Sequence, residues 1–292
     1  MNTAPAARYS RRDLAKLALS AAPLGAAFAQ GAALRVNGVV IGATSYSFRD
    51  RPLDAAIQAM RDIGLRDCVL WQGHVEPRGV RGADARNELR KWRTTIPLRH
   101  FHEVRNKFRQ AGIYLHAYYY NLRGDFTDEE ITRGFEMAKA LGVKYLAASA
   151  NLAAVRRIDS LASKANIFVA MHNHANVVPD EFARPEDFRE AMRGTTHIRI
   201  NLDIGHFVAA GYDPVKFIAN HHRHIVHLDI KDRNQQKDNV RFGEGATPIR
   251  EVLLLLKTRR YAIPAMIEYE YKGSDSVTEV RQCYEYCKRM LS

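Results

Sequence analysis

Four short stretches concentrate the side chains that bind metals and move protons: Met171-His172-Asn173-His174, Asn201-Leu202-Asp203-Ile204-Gly205-His206, His227-Leu228-Asp229-Ile230-Lys231-Asp232 and Ile267-Glu268-Tyr269-Glu270. Each follows or ends a run rich in β-branched and apolar residues. Side chains alternate faces along a strand. His172 and His174 therefore share a face, as do His227 and Asp229, and Glu268 and Glu270. Buried carboxylates without a cation repel one another and hold protons. Four successive strands offering imidazole or carboxylate at one height point to a mixed nitrogen and oxygen site for one divalent metal. Such a donor set suits Mn, Co, Fe or Zn better than Mg or Ca. The ligands expected are His172, Asp203, Glu268 and, from the seventh strand, His227 or Asp229. Lys231 and Arg233 supply positive charge for an anionic or hydroxyl-rich substrate.

The elements that must position these residues repeat. Strands are expected at 39–45, 67–71, 113–119, 143–148, 166–172, 198–203, 225–230 and 264–269. Between them, apolar residues recur at helical spacing over segments such as 53–63, 100–111, 128–141, 213–220, 248–258 and 275–290. Thr127 opens one helix, and Gly112 and Gly142 close two others. Repeated βα units imply parallel strands with crossover helices. Eight of them in about 260 residues make an α/β chain with a single (β/α)8 TIM barrel, spanning 30–292, with its chemistry at the carboxyl ends of the strands. The 73–98 stretch reads as the longest loop. A doubly wound open sheet is the alternative, but no Gly-x-Gly-x-x-Gly follows the first strand.

Residues 1–29 read as an export signal. Ser10-Arg11-Arg12-Asp13-Leu14-Ala15-Lys16 precedes an uncharged run, Leu17 to Ala29, that closes on small residues. The paired arginines resemble a twin-arginine signal, which predicts a periplasmic or otherwise exported protein. The run is too short to span a bilayer, so no stable membrane insertion is expected after signal removal. The chain has 292 residues, and its Lys and Arg exceed Asp and Glu by 44 to 32. Charges of both signs are interspersed, and a solvated basic surface accounts for the excess without nucleic acid. Cys68, Cys283 and Cys287 are too few and too scattered for a disulfide scaffold or a zinc cluster.

The run from Asn201 to Asp213, with Asp229-Ile230-Lys231-Asp232 and Ile267-Glu268-Tyr269-Glu270, resembles the sixth-, seventh- and eighth-strand motifs of the xylose-isomerase-like barrels. The resemblance covers the chain from about residue 36 and is closest to exported sugar phosphate isomerase/epimerase-like proteins. It implies a divalent metal held by Glu, Asp, His and Glu, matched directly by Asp203 and Glu268. Two positions depart. His172 stands where relatives carry Glu, and Asp229 where they carry His, with His227 available two residues earlier.

The resemblance implies an isomerase or epimerase of a small keto sugar working through an enediolate. Glu268 would act as base on one face and His172 on the other, with His206 facing substrate and Lys231 orienting oxyanions. Trp71 and His74 match a sugar-stacking aromatic and a His of relatives. His174, Arg233, Glu270, Glu244 in the loop after strand seven, and His116 are further candidates for substrate contact. His116, Tyr118 and Tyr120 are expected to share a face. A metal-dependent lyase or dehydratase acting on a keto sugar, keto-inositol or keto-glycoside is the alternative. A non-catalytic exported carbohydrate-binding barrel is the reading of another class. Association into homo-oligomers is left open. A repair endonuclease is disfavoured, because Lys237 to Gly245 lacks the Asp-x-His pair which that chemistry needs.

Overall fold

A computed structural model describes residues 35–80, 82 and 84–292, which belong to one compact unit, Ala33–Ser292. The export signal expected at 1–29 lies outside the described residues. Among the described residues, no helix is long and apolar enough to cross a membrane.

Eight parallel strands close into a barrel. In chain order the strands are β1 (Arg35–Val36), β2 (Val39–Thr44), β3 (Asp67–Trp71), β4 (Tyr114–Tyr119), β5 (Tyr145–Ala148), β6 (Phe168–His172), β7 (Ile198–Asp203), β8 (Ile225–Ile230), β9 (Asp232–Arg233), β10 (Asn239–Val240) and β11 (Ala265–Ile267). The barrel strands β2 to β8 pair each with the next, and β11 closes the ring between β8 and β2. β1 forms an antiparallel flap on β2, while β9 and β10 form a small ribbon above β8. The expected strands all form, within three residues at either end.

Helices cover the outside, including α1 (Leu53–Ile63), α2 (Ala85–Thr95), α3 (Arg99–Gln110), α4 (Asp128–Leu141), α5 (Val155–Ala165), α6 (Pro185–Met192), α7 (Ile204–Ala209), α8 (Pro214–His221), α9 (Ile249–Arg259) and α10 (Ser276–Leu291). Their starts are encoded locally. Thr127 caps α4 in a reciprocal capping box with Glu130, an arrangement in which loss of the cap costs about 1 kcal/mol. The supposed loop 73–98 contains α2, a correction to the sequence reading. That helix carries few apolar residues, and what fixes it is charge. Arg93 is buried, 2.7 Å from Glu76 and 3.6 Å from the buried Glu130, which Arg90 also meets at 2.8 Å.

Most of the core lies between the strands and this helical coat. The interior of the barrel is much smaller, built on Val69, Ala117 and Met266 with Tyr119 and Tyr145 against them. Space there is tight. A side chain at Gly42 would approach the Asp67 carbonyl oxygen to 2.5 Å and the Met266 sulfur to 2.6 Å.

Two irregularities in pairing decide which side chains face that interior. The register between β3 and β4 passes from Cys68–Leu115 to Val69–Ala117, skipping His116. An extra residue in one strand reverses the alternation beyond it. Ala117 and Tyr119 consequently point inward. Tyr118 and Tyr120 turn outward, stacked on each other at 5.7 Å and packed on Phe101 and Phe126. The expectation that His116, Tyr118 and Tyr120 share a face is corrected accordingly. A second skip, at Val226 between β7 and β8, places Asn201 opposite His227 and Asp203 opposite Asp229.

Candidate active site

The mouth is assembled from the ends of β6, β7, β8 and β11. Asn173 ties two of them together: its Nδ2 donates to the Asp203 carbonyl, and its Oδ1 accepts from the Asp203 amide. Asp203 then caps α7, its Oδ1 accepting from the His206 amide at 2.7 Å. Gly205 lets that first turn lie against β8, because a side chain there would meet the Lys231 carbonyl oxygen at 2.7 Å. Asp232 braces the next loop by accepting from the amides of Gly243, Gly245 and Thr247.

Lys231 occupies the centre of the carboxylate side. Its ammonium lies 2.5 Å from Glu270 Oε2, 2.9 Å from Glu268 Oε2 and 3.1 Å from Asp203 Oδ2. It also approaches His206 Nε2 at 3.1 Å. Burial opposes a charge on Lys231, but Asp203, Glu268 and Glu270 together hold it well above the usual lysine range. Burial would likewise raise Asp203, yet His206, Lys231 and His172 hold it well below the carboxylate range. Glu268 behaves differently. Burial pushes it up to about 8, against the opposing charge of Lys231 and with the help of Asp229, Glu270 and Asp203. A carboxyl that titrates near neutrality is suited to exchange protons.

The imidazole side faces these groups. His172 Nδ1 lies 3.0 Å from Asn201 Oδ1 and 3.3 Å from Asp229 Oδ2. Asn201 Nδ2 in turn donates to Asp229 Oδ2 at 2.9 Å. Burial depresses His172, but the bond and charge of Asp229, with Asp203 and Glu268, carry it up to about 9. His174 Nε2 meets Ser149 Oγ at 3.0 Å, which meets the Tyr119 hydroxyl at 2.9 Å. His206 Nδ1 accepts from Arg233 Nη2 at 2.8 Å. Burial, with the positive charge of His172, brings His174 down to about 4. Burial also depresses His206 well below the usual histidine range.

The structure thus gathers His172, His174, Asp203, His206, Asp229, Lys231, Arg233, Glu268 and Glu270 at one mouth. Other expected residues lie elsewhere. His227 is fully buried a layer deeper, its Nε2 3.8 Å from Asp229 Oδ1 and its ring 5.5 Å from that of His116. His116 binds the Val226 carbonyl and stacks on Tyr145, in the lower half of the barrel, so it does not line the mouth. His74 commits Nδ1 to Ser45 Oγ and Nε2 to the carbonyls of Phe48 and Arg51. With both nitrogens engaged, it supports Trp71, at 5.5 Å ring to ring, and does not reach a substrate. Trp71 stays at the strand end, partly exposed and edge-on to Tyr46. Glu244 is exposed and borders a surface cavity of about 320 Å³ with Arg241, Arg281, Tyr286 and Arg289, against α10 and away from the mouth.

Four residues of the site were missed in the sequence: Tyr119, Ser149, Asn173 and Asn201. Asn173 and Asn201 stood inside the quoted motifs, and their amides are what hold the ionisable groups in register. Tyr119 was hidden by the bulge. Ser149 was passed over because the end of β5 and the residues just after it carry no ionisable group.

Three buried carboxylate oxygens, Asp203 Oδ2, Asp229 Oδ1 and Glu268 Oε2, have no hydrogen-bond partner. Lys231 lies within ion-pair distance of the first and third, off the hydrogen-bonding angle. Four carboxylates here face two permanent cations, Lys231 and Arg233. His172 and Glu268 hold protons that a divalent cation would displace, so the residues fit such an ion.

Comparison with known proteins agrees with this fold. A sugar phosphate isomerase/epimerase from Parabacteroides distasonis superposes with a TM-score of 0.63 at 17% identity, covering 89% of this chain and 100% of that one. The IOLI protein, solved with a bound zinc atom, gives 0.65 at 14%, covering 86% and 98%. The probable 3-DHS dehydratase AsbF from Bacillus anthracis gives 0.61 at 14%, covering 86% and 97%. At such identities these likenesses concern the fold. No curated protein matches the chain. The sequence profile described as xylose isomerase-like TIM barrel matches residues 79–290, and the chain belongs to that family.

Proposed function

We propose that the protein is a divalent-metal-dependent isomerase or epimerase of a small keto sugar, working through an enediolate. The observation that carries this reading is the gathering of three imidazoles, His172, His174 and His206, beside the buried carboxylates of Asp203, Asp229 and Glu268. The residues available to hold a cation are His172, His174 and His206 on the imidazole side and Asp203 and Glu268 on the carboxylate side. When bound, such an ion acidifies the C–H beside the sugar carbonyl and stabilises negative charge on its oxygens.

The chain's own residues supply the rest. Glu268 takes the proton from the carbon, and Lys231 at 2.9 Å holds the carboxylate in place. His172 stands across the mouth from Glu268 and serves as the second proton-transfer group. Its N–H on Nδ1 is fixed by Asn201 and Asp229, which leaves Nε2 to act. His206 and Arg233 bond the sugar hydroxyls, and Trp71 offers an apolar face to the ring. Export through the twin-arginine route belongs to the same proposal, and cell fractionation checks it.

A lyase or dehydratase is the second reading. It is favoured by His172 standing where relatives carry a second carboxylate base, since elimination needs one base. A non-catalytic carbohydrate-binding barrel would instead bind sugars and leave them unchanged. The test is removal of the metal. Stripping with a chelator should abolish turnover of a keto-sugar panel, and adding back Mn, Co or Zn should restore it. Turnover that survives complete stripping would sink the metal-dependent reading, and binding without any product would support the non-catalytic one.

A further inference from the structure

Among the described residues, three side chains bring potential metal-binding atoms within 4.8 Å of one another: His172, His174 and His206. Their rings form a nearly equilateral triangle, with centroids 5.2, 5.7 and 5.6 Å apart. The four ligands expected from the sequence do not draw together in this way. Asp203 and Glu268 close on Lys231, and Asp229 lies behind His172.

Hydrogen-bond logic shows which nitrogens are free. His172 Nδ1 faces two acceptors, Asn201 Oδ1 and Asp229 Oδ2. The orientation of the Asn201 amide is set by its own donation to Asp229. Nδ1 therefore carries a hydrogen, and Nε2 is the nitrogen that a metal ion would take in exchange for a proton. His174 has Ser149 behind Nε2, and Tyr119 behind Ser149. His206 has the Asp203 carboxylate 3.6 Å behind Nε2. An acceptor or hydroxyl behind one nitrogen, with the other left for an ion, is how metal-binding histidines are oriented. His206 also reveals a conflict. Arg233 and Lys231 only donate, yet they meet both of its nitrogens, and a neutral imidazole has one acceptor. A metal ion would take the single lone pair, so its binding requires Arg233 to withdraw from Nδ1 and the hydrogen on Nε2 to turn from Lys231 to the Asp203 carboxylate, 3.6 Å away. Arg233 is partly exposed, and its Nη1 also donates to the Lys237 carbonyl at 2.6 Å.

We propose that the divalent cation is held by the three imidazoles of His172, His174 and His206, with Asp229 orienting His172 from behind instead of binding the ion. Asp203 and Glu268 stay with Lys231, because an ion bonded to the same oxygens would lie against the ammonium and be repelled by it. Three nitrogen ligands with an open fourth position suit Zn or Co. The inference rests on the metal-dependent reading and deepens it by moving His172 from proton transfer, and His206 from sugar binding, into the ligand set.

The probe is Co(II), followed by its visible absorption, by X-ray absorption at the cobalt edge and by competition with a chelator. Wild-type protein should show a nitrogen-rich shell. Asp229→Asn should weaken Co(II) binding by about 10–100-fold, the usual effect of losing an orienting partner. His174→Ala and His206→Ala should weaken it further and lower the imidazole count. His174→Gln, which preserves volume and a bond to Ser149, should lose Co(II) in the same way, so misfolding of the Ala variant does not decide the matter. Glu268→Gln should bind Co(II) nearly as wild type does. Wild-type affinity in the His174 and His206 variants, with loss in Asp203→Asn or Glu268→Gln, would overturn the three-imidazole site while leaving the metal-dependent reading intact. A wild-type protein that takes up neither Co(II) nor Zn would overturn both.

Discussion

Glu268→Gln should lower turnover of a keto sugar by about 10²–10⁴-fold, the usual loss when a general base is removed. The substitution keeps the size of the side chain and one carbonyl oxygen, so the contact with Lys231 at 2.9 Å has a surviving acceptor. What disappears is the capacity to take a proton. Glu268 is buried, and its pKa is lifted to about 8 by that burial, which makes it a stronger base than a solvated carboxylate. Steady-state rates for the two proteins, with metal content measured on the same samples, check the expectation. A loss of less than tenfold at equal metal content would remove Glu268 from the chemistry.

Lys231→Met should destabilise the fold by about 3–5 kcal/mol, the usual consequence of deleting one partner from a buried ionic cluster. The side chain is almost fully buried and is the shared counter-charge of Asp203, Glu268 and Glu270. Methionine fills a similar volume, so the penalty comes from uncompensated charge and not from a cavity. The carboxylates would respond by taking up protons, and the variant should accordingly be less handicapped at low pH than at neutral pH. Urea unfolding of both proteins at two pH values measures this. A difference below about 1 kcal/mol at neutral pH would mean that the carboxylates are relieved by solvent and that Lys231 is not their principal partner.

The barrel was legible because its signals are local. β-branched runs of four to seven residues, Thr127 before α4 and glycines after α3 and α4 each act within a few positions. The strand-end motifs were legible for the same reason, since residues at the ends of β6, β7, β8 and β11 must converge if the barrel closes. Four features were not local. The bulge at His116 shifts the alternation of β4, and nothing in Tyr114–Tyr120 marks the extra residue; Tyr119 was thereby hidden, and two tyrosines were misassigned. His74 is engaged by carbonyls of Phe48 and Arg51, 26 and 23 residues away, a long-range satisfaction with no sequence signature. The partition of the mouth was also unreadable. Alternation places His172, Asp203, Asp229 and Glu268 at one height, but only three-dimensional packing shows Lys231 reaching into the carboxylates and Asp229 turning toward His172. Helix α2 was missed because arginine pairing with Glu76 and Glu130 holds it, in place of an apolar stripe.

Proton abstraction beside a carbonyl is the step on which the proposed function turns. Wild-type protein loaded with a divalent metal should be incubated with a keto sugar in deuterated water, and the recovered sugar examined by NMR and mass spectrometry. Deuterium should appear at the carbon next to the carbonyl, at a rate that falls sharply in Glu268→Gln. Conversion of the sugar with no deuterium at that carbon would contradict the mechanism in both its isomerase and its lyase forms.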